Sequence, residues 1–203
     1  MRETIYTIGY SGFAIDDFLS VLGEYGISAL VDVRSIPYSR NRPEYNRDML
    51  EPVLKHAGFH YRNYACEFGA RQTDQQYYVK GYLDFELFAD SPPFVQGIEK
   101  LYKSMEAGYT FVLMCAEIEP INCHRAILVS RAFSNRGVPV IHLLPHGRAI
   151  TQEDLEHQLV DRYFPDRDQC SLFSQARSYQ SMVSEGYKKR NSEIGYRLQE
   201  EPL

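Results

Sequence analysis

Short apolar runs alternate with amphipathic segments along the first 145 residues of the chain. Apolar runs of strand length occur at residues 4–8, 29–33, 59–64, 109–114 and 138–144. Between them, apolar residues at helical spacing predict helices at residues 15–25, 49–57, 92–105 and 122–135. Chains in which strands and helices alternate form parallel sheets that helices cover on both faces. The pattern therefore predicts a three-layer α/β fold around a mainly parallel, open sheet of about five strands.

Two segments depart from this alternation. Residues 71–90 are polar and rich in tyrosine, which indicates a long surface excursion. After Leu144 the chain predicts one more helix, over residues 151–163 and capped by Thr151, and then becomes polar. We therefore expect a single α/β domain over residues 1–164 and a C-terminal tail over residues 165–203.

Polar side chains follow three of the predicted strands at the point where each strand ends. Right-handed crossovers bring the carboxyl ends of parallel strands to one edge of a sheet, which is where ligands bind in open α/β folds. The side chains concerned are Tyr10 and Ser11, Asp32 and Arg34, and Cys115 and Glu117. We expect them to border a single cavity.

The segment FVLMCAEIEPINCHR, residues 111–125, carries the most reactive groups of the chain. Cys123 is predicted to lie in the first turn of a helix beside His124, a setting that lowers a thiol pKa. Cys123 or Cys115 is therefore a candidate nucleophile. The alternative is that these cysteines only pack, because a free cysteine commonly behaves as a small hydrophobic residue.

Three other groups of this segment are candidates for proton transfer and anion binding. Glu117 and His124 form a candidate acid–base pair, although Glu117 could equally cap a turn. Arg125 in a first helical turn opposes the helix dipole, so its position suggests a bound anion. The alternative for Arg125 is an ordinary surface cation.

The loop after the second predicted strand is rich in arginine and tyrosine. Arg34 and Arg40 lie there with Tyr38 between them, and arginine forks bind phosphates while tyrosine rings stack on bases. We therefore expect Tyr10, Ser11, Asp32, Arg34, Arg40 and Arg125 to bind an anionic substrate. Two alternatives are a solvated loop and an internal ion pair between Asp32 and Arg34.

Zinc has to be considered, because Cys115, Cys123 and His124 are legitimate ligands. However, the C-x7-C-H spacing is not a usual structural zinc pattern, and adjacent residues on a helix point in different directions. A fourth ligand would have to come from Cys66 or Glu117. We therefore expect no metal and no other cofactor.

Composition adds bounds on partners and location. The formal net charge of -5 gives no overall attraction to polyanions, so a nucleic acid would have to bind a local basic patch. The four cysteines in a chain without a signal-peptide pattern are typical of reduced thiols in the cytoplasm. No segment is long and apolar enough to span a membrane.

Three blocks of the chain resemble the signature blocks of domain-of-unknown-function family 488. They are TIGYS at residues 7–11, DVRSIPYSR at residues 32–40 and CAEIEPINCHR at residues 115–125. The resemblance covers roughly residues 4–145. It implies an α/β fold and a shared polar site, and it brings no established substrate.

The peptide QCSLF at residues 169–173 resembles the short motif by which bacterial DNA-repair and replication proteins bind the sliding clamp. Gln169, Leu172 and Phe173 are the expected contacts, because two apolar anchors in a polar segment can insert into a pocket. The alternative is that Leu172 and Phe173 fold back onto the domain.

The favoured interpretation is an enzyme, a hydrolase or lyase, that acts on a phosphate-bearing nucleic acid or nucleotide during DNA repair or processing. A non-catalytic nucleic-acid-associated module tethered to the clamp is the first alternative. A cysteine-dependent enzyme of small-molecule chemistry is the second.

Overall fold

The structure of the chain, a computed structural model, describes residues 4–167 and 177–198. Its centre is a six-stranded sheet with the spatial order β3-β2-β6-β1-β7-β8. The strands are β1 Ile5–Gly9, β2 Ala29–Asp32, β3 His60–Asn63, β6 Phe111–Cys115, β7 Val140–Leu144 and β8 Arg148–Thr151. The first five strands in the spatial order run parallel, and β8 runs antiparallel to β7. The predicted α/β fold with a mainly parallel open sheet is confirmed.

Helices flank the sheet. They are α1 Ile15–Glu24, α2 Arg47–His56, α3 Ala65–Phe68, α4 Phe85–Ala89, α5 Pro92–Glu106, α6 Arg131–Ser134, α7 Gln152–Tyr163 and α8 Tyr179–Ile194. A π-helix, Arg125–Ser130, runs directly into α6. The predicted helix over residues 122–135 is therefore present in a different form. It begins at His124, because Cys123 has an extended backbone.

The central strand β6 shows why the fold has three layers. Val112 and Met114 point into one apolar core, which also contains residues of α1 and α2. Leu113 and Cys115 point into a second core, which contains residues of α5, α7 and the π-helix. Since successive side chains of a strand face opposite sides, the fully buried β6 needs helices on both faces.

Two segments that were predicted to be polar excursions are packed against the domain. Within residues 71–90 the structure has a small hairpin, β4 Tyr78–Val79 and β5 Tyr82–Leu83, followed by α4. The prediction of a surface excursion is wrong for this part, because Leu83, Phe85 and Phe88 are buried in the core. Apolar residues in a polar sequence are sufficient to anchor such a segment.

The C-terminal segment also contains a packed helix. Helix α8 is capped by Ser178 and lies against α7, with Met182, Val183 and Tyr187 in the core. The prediction of a polar tail is therefore wrong for residues 179–194, since these three side chains form the apolar face of a helix. The division of the chain at residue 164 stays a prediction.

The predicted cap of α7 is confirmed. The side chain of Thr151 accepts a hydrogen bond from the backbone of Asp154, whose carboxylate in turn accepts one from the Thr151 backbone. This capping box fixes the point at which β8 turns into α7. Within the described ranges, no helix is both long enough and apolar enough to cross a membrane.

Candidate functional site

The ends of three parallel strands meet at one cavity. Gly9 of β1 is in register with Cys115 of β6, and Asp32 of β2 is in register with Met114, so the three strands end side by side. The predicted convergence of these strand ends is confirmed. Beside them lies an open cavity of about 690 Å³. Seven of the residues proposed from the sequence line it: Tyr10, Arg34, Arg40, Cys115, Glu117, Cys123 and His124.

Two thiols and a carboxylate are in direct contact at the floor of the cavity. The thiols of Cys115 and Cys123 lie 3.1 Å and 2.9 Å from the same oxygen, Oε2 of Glu117, and both donate to it. Cys115 and Cys123 are buried, whereas Glu117 is exposed. The carboxylate therefore connects the buried thiols with solvent.

An imidazole completes this cluster, which we call the thiol cluster and define as Cys115, Glu117, Cys123 and His124. Nε2 of His124 lies 2.9 Å from the carbonyl oxygen of Val33, and a carbonyl can only accept, so Nε2 carries a hydrogen. Nδ1 lies 3.8 Å from the sulfur of Cys115 and 3.9 Å from that of Cys123. In the neutral ring Nδ1 therefore presents a lone pair to both thiols.

The backbone of Cys123 explains how adjacent residues reach one point. Cys123 has φ -133° and ψ 138°, which is an extended conformation, and His124 begins the helix. The expectation that Cys123 and His124 diverge on a helix is therefore wrong. The ligand atoms of Cys115, Cys123 and His124 all lie within 4.8 Å of one another, so these three residues could hold a metal ion.

The protons of the thiol cluster are coupled. The hydrogen bond with Cys123 and burial raise the pKa of the Cys115 thiol well above its usual value. Burial acts on Cys123 in the same direction, but Cys115 and the positive charge of Arg125 outweigh it and the pKa of that thiol falls well below its usual value. Although Glu117 as a residue is exposed, desolvation of its carboxyl group, together with the neighbouring Cys123, raises its pKa. The 2.9 Å hydrogen bond between Cys123 and Glu117 thus joins a thiol of lowered pKa to a carboxyl of raised pKa.

The loop that carries Glu117 is held in place by two residues below it. Arg125 is fully buried, and its guanidinium donates to the carbonyl oxygens of Glu117 at 2.5 Å and Ile118 at 3.0 Å. The guanidinium of Arg125 thus binds backbone carbonyl oxygens where an anion was expected. Gly9 lies against the same loop, where an added Cβ would come within 1.8 Å of the Glu117 carbonyl oxygen.

Asp32 and Arg34 form a buried ion pair. Nη2 of Arg34 lies 2.6 Å from Oδ2 of Asp32, and the hydroxyl of Tyr61 donates to the same oxygen at 2.7 Å. Burial opposes the charge of Arg34, but the hydrogen bond with Asp32 outweighs it and raises the pKa of Arg34 above its usual value. Asp32 does not line the cavity. Its carboxylate positions Arg34, which agrees with the alternative of an internal pair.

One nitrogen of Arg34 is left over. Nη1 is buried without a hydrogen-bond partner in the described part of the chain, while the guanidinium lies 5.0 Å from the ring centre of Tyr10. Buried donors are rarely left unpaired, and an exception calls for an explanation such as a missing ligand. Other atoms of Arg34 line the cavity, but Nη1 itself is buried, so a ligand in the cavity would reach this donor after a small movement of the side chain.

Two further arginines stand at the cavity without a carboxylate partner. Arg40 was predicted, whereas Arg71, which lies 5.2 Å from the ring centre of Tyr196, was not. Neither guanidinium has an ion pair among the described residues. The weak signal for Arg71 was an arginine in a tyrosine-rich segment, and Tyr196 lay in the supposed tail.

Ser11 takes no part in the cavity wall. Its side chain is exposed, and its carbonyl oxygen accepts a hydrogen bond of 2.8 Å from Arg42. Arg42 also donates to the carbonyl oxygen of Phe13, so it ties the turn after β1 to the arginine-rich loop. The proposed anion-binding role of Ser11 is not supported by this placement.

The C-terminal helix α8 completes the other wall. Arg190 donates to the carbonyl oxygen of Ile121 at 2.8 Å and to the side chain of Asn122, and it thereby holds the turn that precedes Cys123. Ile194 and Tyr196 line the cavity directly. Gln169, Leu172 and Phe173, the expected clamp contacts, lie outside the described residues.

A buried polar network that the sequence did not reveal lies beneath the thiol cluster. His142 is fully buried, with Nδ1 2.8 Å from the hydroxyl of Thr7 and Nε2 2.9 Å from Oε1 of Gln152. Arg125 donates to the same Thr7 hydroxyl at 3.3 Å. Burial lowers the pKa of His142 to about 3, so this ring is neutral.

The fold and cavity describe a mainly parallel α/β protein with a polar site at the carboxyl edge of its sheet. The family model Domain of unknown function DUF488 matches residues 14–132 of the chain, which is more than half of its length. The chain therefore belongs to this family, as its three sequence blocks predicted. Searches of curated proteins and of solved structures gave no match.

Proposed function

We propose that the protein is an enzyme that binds a phosphate-bearing nucleotide or nucleic acid in this cavity. The observation that carries the proposal is Arg34, a buried arginine at the cavity edge whose Nη1 has no partner among the described residues. Guanidinium groups bind phosphate oxygens through paired hydrogen bonds. A phosphate group would supply the missing acceptor.

The charge balance of the cavity supports an anionic ligand. Asp32 neutralises Arg34, but Arg40 and Arg71 bring two positive charges that no carboxylate in the described ranges balances. Glu117 is the acidic residue among those that line the cavity, and desolvation together with Cys123 raises its pKa. The cavity is thus a local basic patch on a chain of net charge -5, as nucleic-acid binding would require.

Aromatic rings accompany these arginines. Tyr38 and Tyr196 both line the cavity; Tyr38 is 61% exposed, and the guanidinium of Arg71 lies over the ring of Tyr196. Tyrosine rings stack on bases with little dependence on base identity. A ligand with both a phosphate and a base therefore fits the wall better than inorganic phosphate alone.

The thiol cluster would act on the ligand held in this way. Glu117 and His124 are the proposed proton-transfer groups, since they share a hydrogen-bonded cluster at the cavity floor. Cys115 and Cys123 supply the remaining reactive groups. Cleavage by a hydrolase or lyase mechanism is the reaction class that we assign.

The test is turnover of labelled oligonucleotides and nucleotides by the full chain. Glu117→Gln should lower turnover by about a hundredfold or more, the scale of general acid–base catalysis. Glu119→Gln, an exposed neighbour that does not line the cavity, is the matched control and should change nothing. Binding without turnover would overturn the enzyme and favour a non-catalytic module.

We propose separately that QCSLF tethers the protein to a bacterial sliding clamp, which would place it in DNA repair or processing. The support is the sequence alone: Leu172 and Phe173 are apolar anchors in a polar segment. Such a short peptide should bind with a Kd on the order of 1 μM, because ordering entropy offsets much of its contact energy.

Calorimetry of the protein against purified clamp tests the tether. The wild type should bind, and Leu172→Ala/Phe173→Ala should lose at least about tenfold in affinity, or 1.4 kcal/mol. Equal binding by both proteins, or no binding by either, would remove the case for the clamp.

A further inference from the structure

We propose that Cys115, Cys123 and His124 bind a divalent transition-metal ion of the zinc type, with Glu117 beside the open fourth position. This inference goes beyond the phosphate-binding part of the proposed function and does not depend on it, because the phosphate is assigned to Arg34, Arg40 and Arg71. In the metal-bound form His124 is a ligand, so proton transfer falls to Glu117 alone. The ion would sit at the cavity floor, between the buried sulfurs and the exposed carboxylate.

The first support is the distance between the donor atoms. Around a tetrahedral zinc ion with usual bond lengths, a thiolate sulfur and an imidazole nitrogen lie about 3.6 Å apart. Nδ1 of His124 lies 3.8 Å from one sulfur and 3.9 Å from the other. A shift of a few tenths of an ångström would therefore give the nitrogen–sulfur spacing of a tetrahedral site, and all three ligand atoms lie within 4.8 Å of one another.

The second support is the orientation of the ring. His124 donates from Nε2 to the carbonyl oxygen of Val33, which leaves Nδ1 as the coordinating nitrogen. A metal-bound histidine usually donates its other N–H to a carbonyl or carboxylate in this way. The hydrogen bond holds the ring in place before any ion arrives, which reduces the cost of binding.

The third support is that both thiols already share one acceptor. Oε2 of Glu117 accepts a hydrogen bond from Cys115 and another from Cys123, so both sulfur atoms point towards one place. When an ion binds, the thiol protons leave and the ion takes over the contacts that they made. Metal coordination thus uses the existing arrangement and needs no change in the fold.

The donor set selects the ion. Two thiolates and an imidazole are soft or borderline ligands that favour zinc over magnesium or calcium. Catalytic zinc sites include sets of two cysteines and one histidine, and they face a cavity. Cys115, Cys123 and His124 form such a set, and all three line the cavity.

Cobalt titration of the full chain tests the site without any substrate. We expect one Co²⁺ per chain, with thiolate-to-cobalt absorption in the near ultraviolet and the visible bands of a tetrahedral ion, and displacement by Zn²⁺. Cys123→Ser should weaken binding by more than about tenfold. The matched control is Cys66→Ser, since Cys66 is exposed and lies outside the cluster.

His124→Ala serves as a second variant in case Cys123→Ser folds poorly, and circular dichroism accompanies both. Absence of tetrahedral cobalt bands in the wild type would overturn the proposal. Equal cobalt binding by Cys66→Ser and by a folded Cys123→Ser or His124→Ala variant would likewise overturn it. Failure here leaves the phosphate proposal intact, because nucleotide binding is measured without metal.

Discussion

Nε2 of His124 donates a hydrogen bond to the carbonyl oxygen of Val33 across 2.9 Å. Val33 directly follows strand β2, and His124 begins the helix after strand β6, so the bond joins two of the three sequence blocks. It also fixes the tautomer of the ring and directs Nδ1 to Cys115 and Cys123. A backbone carbonyl at a strand end thereby sets the chemistry of the thiol cluster.

Gly9 should tolerate no side chain. A Cβ at this position would lie 1.8 Å from the carbonyl oxygen of Glu117, so Gly9→Ala should displace the Glu117 loop and destabilise the protein by about 1–3 kcal/mol. Gly23→Ala is the matched control. No atom of the described residues lies within 4 Å of a Cβ added at Gly23, so alanine should stabilise helix α1 by up to about 1 kcal/mol. Urea unfolding measures both changes, and equal effects would contradict the close approach.

The ion pair between Asp32 and Arg34 should contribute strongly to stability. Asp32→Asn leaves the Arg34 charge buried without a counter-charge, so unfolding free energy should fall by about 3–5 kcal/mol. Glu51→Gln breaks the exposed pair with Arg47 and should cost less than about 0.5 kcal/mol. A small loss for Asp32→Asn would show that Arg34 does not need its partner.

His142 should make the protein sensitive to acid. Burial lowers its folded pKa to about 3, whereas the unfolded value is about 6.5, so between these values the unfolded chain binds more protons. Unfolding free energy should therefore fall as pH drops from 6.5 towards 3, by up to about 1.4 kcal/mol per pH unit from this residue. Above pH 6.5 the contribution is constant.

Urea unfolding at several pH values isolates the contribution of His142. His142→Gln should flatten the pH dependence, and His56→Gln, at an exposed histidine of helix α2, should leave it as in the wild type. An unchanged slope in His142→Gln would show that the buried ring is not the source.

The sequence was sufficient to predict the α/β fold and the meeting of three strand ends at one edge of the sheet. Hydrophobic runs and helical spacing predicted five parallel strands, and the crossover rule brought Tyr10, Arg34 and Cys115 to one edge. Strand β8 was not predicted from the sequence, because its residues are mostly exposed and lack an apolar run. Helix α8 was not predicted because its three core residues, Met182, Val183 and Tyr187, are few and lie in an otherwise polar segment.

The roles of individual residues could be assigned only from the structure. Nothing in the sequence shows that Cys123 adopts an extended backbone or that residues 125–130 form a π-helix, because local spacing fits an ordinary helix equally well. Arg125 is buried and holds the Glu117 loop through a hydrogen bond to its backbone. No sequence pattern predicts that contact. Arg71 reaches the cavity through a packed segment whose sequence looked like a surface loop.

Binding of a nucleoside monophosphate, compared with the same nucleoside without phosphate, tests the central claim most directly. Calorimetry on the full chain should give binding of the nucleotide at least about tenfold tighter than the nucleoside, or 1.4 kcal/mol. Arg40→Gln/Arg71→Gln should remove that preference, while Arg148→Gln, an exposed arginine on β8, should keep it. Equal affinity for nucleotide and nucleoside, or an unchanged preference in the double variant, would contradict phosphate recognition by this cavity.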